Sequence, residues 1–169
     1  MRTFSARVSE SDEFDLETAS RWTVRAFAVQ WDAGRQEREG DEGMAGARIL
    51  AVDDSPTILE MIKAILEAGG YEVITATDGA EALETARAEK PDLILLDVML
   101  PKLDGYRVCR LLKFDQNYKA IPIIMLTAKT EEQAMATGIR TGANQYLTKP
   151  VEPDTLLGAV AEELAKVQG

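Results

Sequence analysis

From Arg48 onward, short apolar runs alternate with stretches whose apolar residues recur every three or four positions. That pattern predicts strands alternating with amphipathic helices. Residues 49–52, 73–76, 93–96 and 121–126 read as buried strands, with a weaker fifth at 144–147. Ser55 offers an N-cap with Pro56 in the first turn, and Ile58, Met61, Ile62, Ile65 and Leu66 form a stripe ending at Gly69 and Gly70. Asp78 opens a second helix that must stop before Pro91, and Asp104 opens a third with Val108, Leu111 and Leu112 inward. Thr130 opens a fourth, and the last spans 153–167.

Strands that are continuously apolar, instead of alternating, predict a parallel sheet with helices on both faces. Right-handed crossovers leave few topologies. By analogy with other sheets of this size, the expected fold is α/β, a flavodoxin-like (βα)5 doubly wound parallel sheet of order 2-1-3-4-5. Function in such sheets gathers beyond the carboxyl ends of the strands.

Residues 35–46, RQEREGDEGMAG, hold three glycines and six charges with almost nothing to bury, which predicts a linker. The division expected is therefore an N-terminal extension and linker at 1–46 and a folded domain at 47–169. The extension carries five of the ten aromatics, including Trp22 and Trp31. Its segment 22–31 fits a strand or a helix equally and is too short to be stable alone, so it docks, dimerises or stays loose. Met44 offers a second reading, in which translation starts there.

Composition narrows the function. With 19 basic and 29 acidic side chains the net charge is −10, which argues against nucleic-acid partners and anionic membranes. No histidine is present, which removes Ser-His-Asp hydrolysis, His-ligated zinc and a histidine phosphoacceptor. A single cysteine, Cys109, allows no internal disulfide and reads as a packed helical residue. The N-terminus lacks a signal-peptide core and no run approaches a membrane span. A cytoplasmic protein is expected.

The strand ends then supply chemistry. The first runs into Asp53-Asp54, the third into Asp97, the fourth into Thr127-Ala128 and the fifth into Thr148-Lys149-Pro150. Three acids, a hydroxyl and an amine converge on one rim. Clustered carboxylates repel one another unless a cation is bound, and oxygen-only ligands select a hard ion such as Mg²⁺. Mg²⁺ commonly shares its shell with phosphate oxygens, which Lys149 and Thr127 are suited to bind. The set reads as phosphoryl transfer to an acidic nucleophile.

Asp53-Asp54, Asp97, Leu100-Pro101, Asp104-Gly105, Thr127-Ala128 and Lys149-Pro150, in this order and spacing, resemble the receiver domain of two-component response regulators. The resemblance covers about residues 47–169. It implies that Asp97 is the phosphoacceptor, that Asp54, Asp97 and the backbone carbonyl of Met99 ligate Mg²⁺, and that Asp53 acts through a coordinated water. It further implies that Thr127 and Lys149 bind the phosphoryl group, that Tyr146 is the switch aromatic, and that the 149–150 bond is cis. A sensor histidine kinase or histidine phosphotransfer protein would be the donor and a downstream protein the target. The chain would be a phosphoacceptor signalling domain, not an enzyme in the usual sense.

With no output domain after Gly169, the expectation is a stand-alone regulator of chemotaxis or pilus type. Met99 has no polar group to orient water and Lys129 is long and charged, so slow dephosphorylation is expected. An alternative is a receiver-like interaction module that works without phosphate. An aspartyl phosphohydrolase is disfavoured, because Met99 stands where that chemistry needs a second aspartate.

Overall fold

The computed structural model describes residues 46–128 and 141–169. Five parallel strands, β1 (Arg48–Val52), β2 (Glu72–Ala76), β3 (Leu93–Asp97), β4 (Ile123–Thr127) and β5 (Gln145–Thr148), pair in the order β2-β1-β3-β4-β5. This is the flavodoxin-like order expected. The described helices are α1 (Pro56–Ala68), α2 (Gly79–Glu89), α3 (Gly105–Phe114) and α4 (Pro153–Gln168). The expectations for the extension and linker through residue 45, for Lys129 and for a helix opening at Thr130 fall outside the described residues.

Alternate side chains of the central strands feed two cores. Ile49, Ala51, Leu93, Leu95, Ile124 and Leu126 pack with α1 and α4, whereas Leu50, Val52, Ile94, Leu96, Ile123 and Met125 pack with α2 and α3. Helices on both faces explain why β3 and β4 are buried at every position. Each such aliphatic side chain contributes roughly 1.5–3 kcal/mol. The rim at the strand ends is thereby held on a rigid base.

Several local expectations needed correction. β2 and β5, read as buried, are only partly so, with Glu72 and Thr75 exposed, because each is an edge strand with one neighbour. β4 begins at Ile123, two residues late, since Pro122 has no N–H to pair. In α1 the buried stripe is Leu59, Ile62, Ile65 and Leu66, and Met61 is 37% exposed. In α3 the inward arc is Val108, Cys109 and Leu112. Leu111 lies about 60° outside that arc at 100° per residue and is 46% exposed.

The helix starts are as the sequence implies. Asp78 and Asp104 accept from the N–H groups of Glu81 and Arg107 at 2.8 and 3.0 Å, and Ser55 accepts from Ile58 at a long 3.5 Å. After β3 the chain folds back so tightly that a Cβ on Gly105 would lie 2.1 Å from the carbonyl oxygen of Asp97. Gly105→Ala is therefore expected to cost about 3 kcal/mol through overpacking, read by denaturant unfolding. It would also displace Asp97 itself.

Candidate functional site

Register carries the five positions to one edge. Val52 stands beside Leu96, so Asp53 follows β1 next to Asp97 at the end of β3. Asp97 pairs with Leu126, one residue before Thr127. Thr127 pairs with Thr148, and the Lys149 N–H continues the ladder to the Thr127 carbonyl at 2.7 Å. The Lys149–Pro150 bond is cis, as the resemblance implied.

The side chains meet accordingly. Asp53 is 1% exposed; one of its oxygens accepts the Ser55 N–H at 2.9 Å and the other accepts Lys149 Nζ at 2.5 Å. Lys149 Nζ lies 3.1 Å from Asp97 Oδ1. Asp97 is 5% exposed, while Asp54 is exposed to solvent. Carboxylate oxygens of Asp53, Asp54 and Asp97 lie within 4.8 Å of one another. Met99 is 67% exposed, and its backbone N–H favours the ionised form of Asp97.

Burial pushes the Asp97 carboxyl above the ordinary carboxylate range, with the charge of Asp53 adding to it, although Lys149 and the Met99 N–H pull the other way. Burial also opposes the Lys149 ammonium. Hydrogen bonds and charge from Asp53 and Asp97 outweigh that penalty and raise its pKa, so it stays protonated. One ammonium thus contacts two of three clustered carboxylates, the third of them exposed, and negative charge is left over at the rim.

Thr127 sharpens the picture. It is fully buried, and its hydroxyl has no hydrogen-bond partner among the described residues. An unpaired buried hydroxyl costs about 1–3 kcal/mol, so in a native site it points to a missing ligand oxygen. An oxygen-only donor set, surplus negative charge and an orphaned hydroxyl fit Mg²⁺ beside a phosphoryl group.

Tyr146, on edge strand β5, is half-buried against the core that contains Val108 and Met125. Its phenol shares a 2.7 Å hydrogen bond with the buried hydroxyl of Thr141. Sequence reasoning missed Thr141, since a threonine five residues ahead of a tyrosine carries no signal before the loop is folded. Cys109 is fully buried and burial pushes its thiol up, which fits the packed role expected of it.

Residues 49–161 match the family model described as the response regulator receiver domain. Over 119 residues the chain is 44% identical to Protein PilH of Pseudomonas aeruginosa, covering 70% of this chain and 98% of that one. It is 54% identical over 106 residues to the alkaline phosphatase synthesis transcriptional regulatory protein PhoP of Bacillus subtilis, covering 63% of this chain and 43% of PhoP. The match thus spans less than half the length of PhoP. The solved chemotaxis response regulator CheY4 of Vibrio cholerae superposes with a TM-score of 0.65 at 39% identity, over 70% of this chain and 98% of that one.

Proposed function

The chain belongs to the response regulator receiver family, and from that premise we propose that it accepts a phosphoryl group on Asp97 and signals by the change that follows. Receiver domains are signalling domains. The observation that carries the proposal is the largely buried Lys149–Asp53–Asp97 contact beside the Thr127 hydroxyl, which has no partner among the described residues. Those groups match what a phosphorylated Asp97 would present: extra anionic oxygens needing a cation and a donor.

Asp54, Asp97 and the Met99 carbonyl would hold Mg²⁺, with Asp53 reaching it through water. When bound, the ion neutralises charge on the phosphoryl oxygens. A carboxylate oxygen of Asp97 attacks the phosphorus of a phosphohistidine in line. The O–P bond forms, the N–P bond breaks, and the imidazole leaves with the electron pair. This chain has no histidine, so the donor is another protein, a sensor histidine kinase or a histidine phosphotransfer protein. Lys149 balances the charge on the transferred group, and Thr127 donates its hydroxyl to a phosphoryl oxygen. Thr127 moves toward the phosphate, Tyr146 turns further inward, and the altered β4–β5 surface is read by a downstream protein.

Residues 47–169 form the working unit in this reading. The 98% coverage of Protein PilH supports the stand-alone form. Among the described residues no helix is long and apolar enough to cross a membrane, which is compatible with a cytoplasmic site of action.

Incubation with a small phosphodonor, read by intact mass, tests the proposal. One phosphate that appears only with Mg²⁺ is the expected result. No adduct, with Mg²⁺ binding present, would overturn it in favour of a phosphate-independent module. Met99, exposed and apolar, cannot align an attacking water. Met99→Asn is expected to shorten the acyl-phosphate lifetime about tenfold, a modest share of what general-base positioning supplies, measured by decay of the adduct.

A further inference from the structure

The loop after β3 owes its shape to a few ties. Within it, the Leu103 N–H donates to the Pro101 carbonyl at 2.8 Å and the Gly105 N–H to the Val98 carbonyl at 2.9 Å. Outside it, the loop leans on the start of α2. The Gly79 N–H donates to the Pro101 carbonyl at 3.3 Å. Gly79 also lies so close that a Cβ there would stand 1.7 Å from the Leu103 carbonyl oxygen.

Lys102 sits at the tip with φ of 65°, the left-handed region that a lysine rarely enters. Its Nζ reaches Asp78 Oδ2 at 2.6 Å, while Asp78 Oδ1 caps α2. The Asp78 side chain is 10% exposed, so this carboxylate is fixed by the helix it caps. One anchored acid therefore holds the loop by its tip.

Between β3 and that tip lies Met99. Its side chain is largely in solvent, so packing does little to fix the residue, and its carbonyl goes where the loop puts it. We propose that the Asp78–Lys102 ion pair is a positioning device for the cation site, holding the loop so that the Met99 carbonyl faces the carboxylates. The proposal rests on the reading that this carbonyl is a Mg²⁺ ligand. In this reading neither Asp78 nor Lys102 would be a ligand of the ion or of the phosphoryl group.

Calorimetric titration of the full chain with Mg²⁺ alone tests it. Lys102→Asn removes the cation while keeping a residue that tolerates positive φ, and Asp78→Asn removes the charge while keeping a helix cap. Each is expected to weaken Mg²⁺ binding about threefold, the double variant no more than either, and Lys102→Arg to match wild type. Unchanged Kd values with a lowered melting temperature would overturn the proposal and leave a purely structural pair. Failure of the wild type to bind Mg²⁺ would overturn the ligand reading along with it.

Discussion

Asp97→Asn is expected to abolish phosphoryl uptake and, at neutral pH, to make the protein more stable. The first effect follows from the chemistry, since an amide offers no carboxylate nucleophile and no remaining acid is so placed between Lys149 and Thr127. The second follows from burial. A carboxyl whose pKa is raised on folding contributes stability at pH below its unfolded value and loses it as pH rises through its folded value. At neutral pH the ionised Asp97, packed against Asp53 and only partly balanced by Lys149, therefore works against the fold. The uncharged amide removes that strain while Lys149 keeps Asp53 as its partner. The gain is expected at neutral pH and shrinks toward nothing as pH falls to the ordinary carboxylate range. Denaturant unfolding across that range checks it; a variant equally stable or weaker at neutral pH would contradict the electrostatic reading.

Lys149→Met is expected to cost more stability than any other single change to the charged side chains of the rim. The methionine fills similar space but leaves Asp53 and Asp97 buried with no cation, and removing one partner of a buried charged group costs about 3 kcal/mol. Mg²⁺ should restore part of that loss, because it supplies positive charge to the same carboxylates. The rate of phosphoryl uptake should drop about a hundredfold, the usual penalty for deleting one preorganised charge from a transfer site. Unfolding with and without Mg²⁺, together with the rate of adduct formation, reads both effects. Full stability without Mg²⁺ would mean that the two carboxylates are better hydrated than their burial implies.

Much of this was legible before folding because strand ends are easy to find. Apolar runs such as 93–96 announce a strand buried on both faces, and the polar residue that stops each run must lie at the rim; Asp53, Asp97 and Thr127 were located in that way, and Lys149 follows Thr148, where the weaker fifth run stops. Helix caps at Asp78 and Asp104 were legible for a similar reason, since their bonds are local. Orientation around a helix was less so. Leu111 and Met61 are apolar, yet they fall outside the inward arc, which depends on where the sheet lies. Bonds between distant segments left no trace in the sequence. The Thr141–Tyr146 hydrogen bond, the Asp78–Lys102 pair and the choice of Lys149 to bridge Asp53 as well as Asp97 exist only after loops and edges are brought together.

The placement of the phosphoryl group is the point on which the rest depends. An acyl phosphate is cleaved reductively by borohydride, which converts the modified aspartate to homoserine. Peptide mapping of the phosphorylated, reduced protein should find homoserine at position 97 and nowhere else. Homoserine at 53 or 54, or a stable phosphate on Thr127, would contradict the assignment of Asp97 as the acceptor.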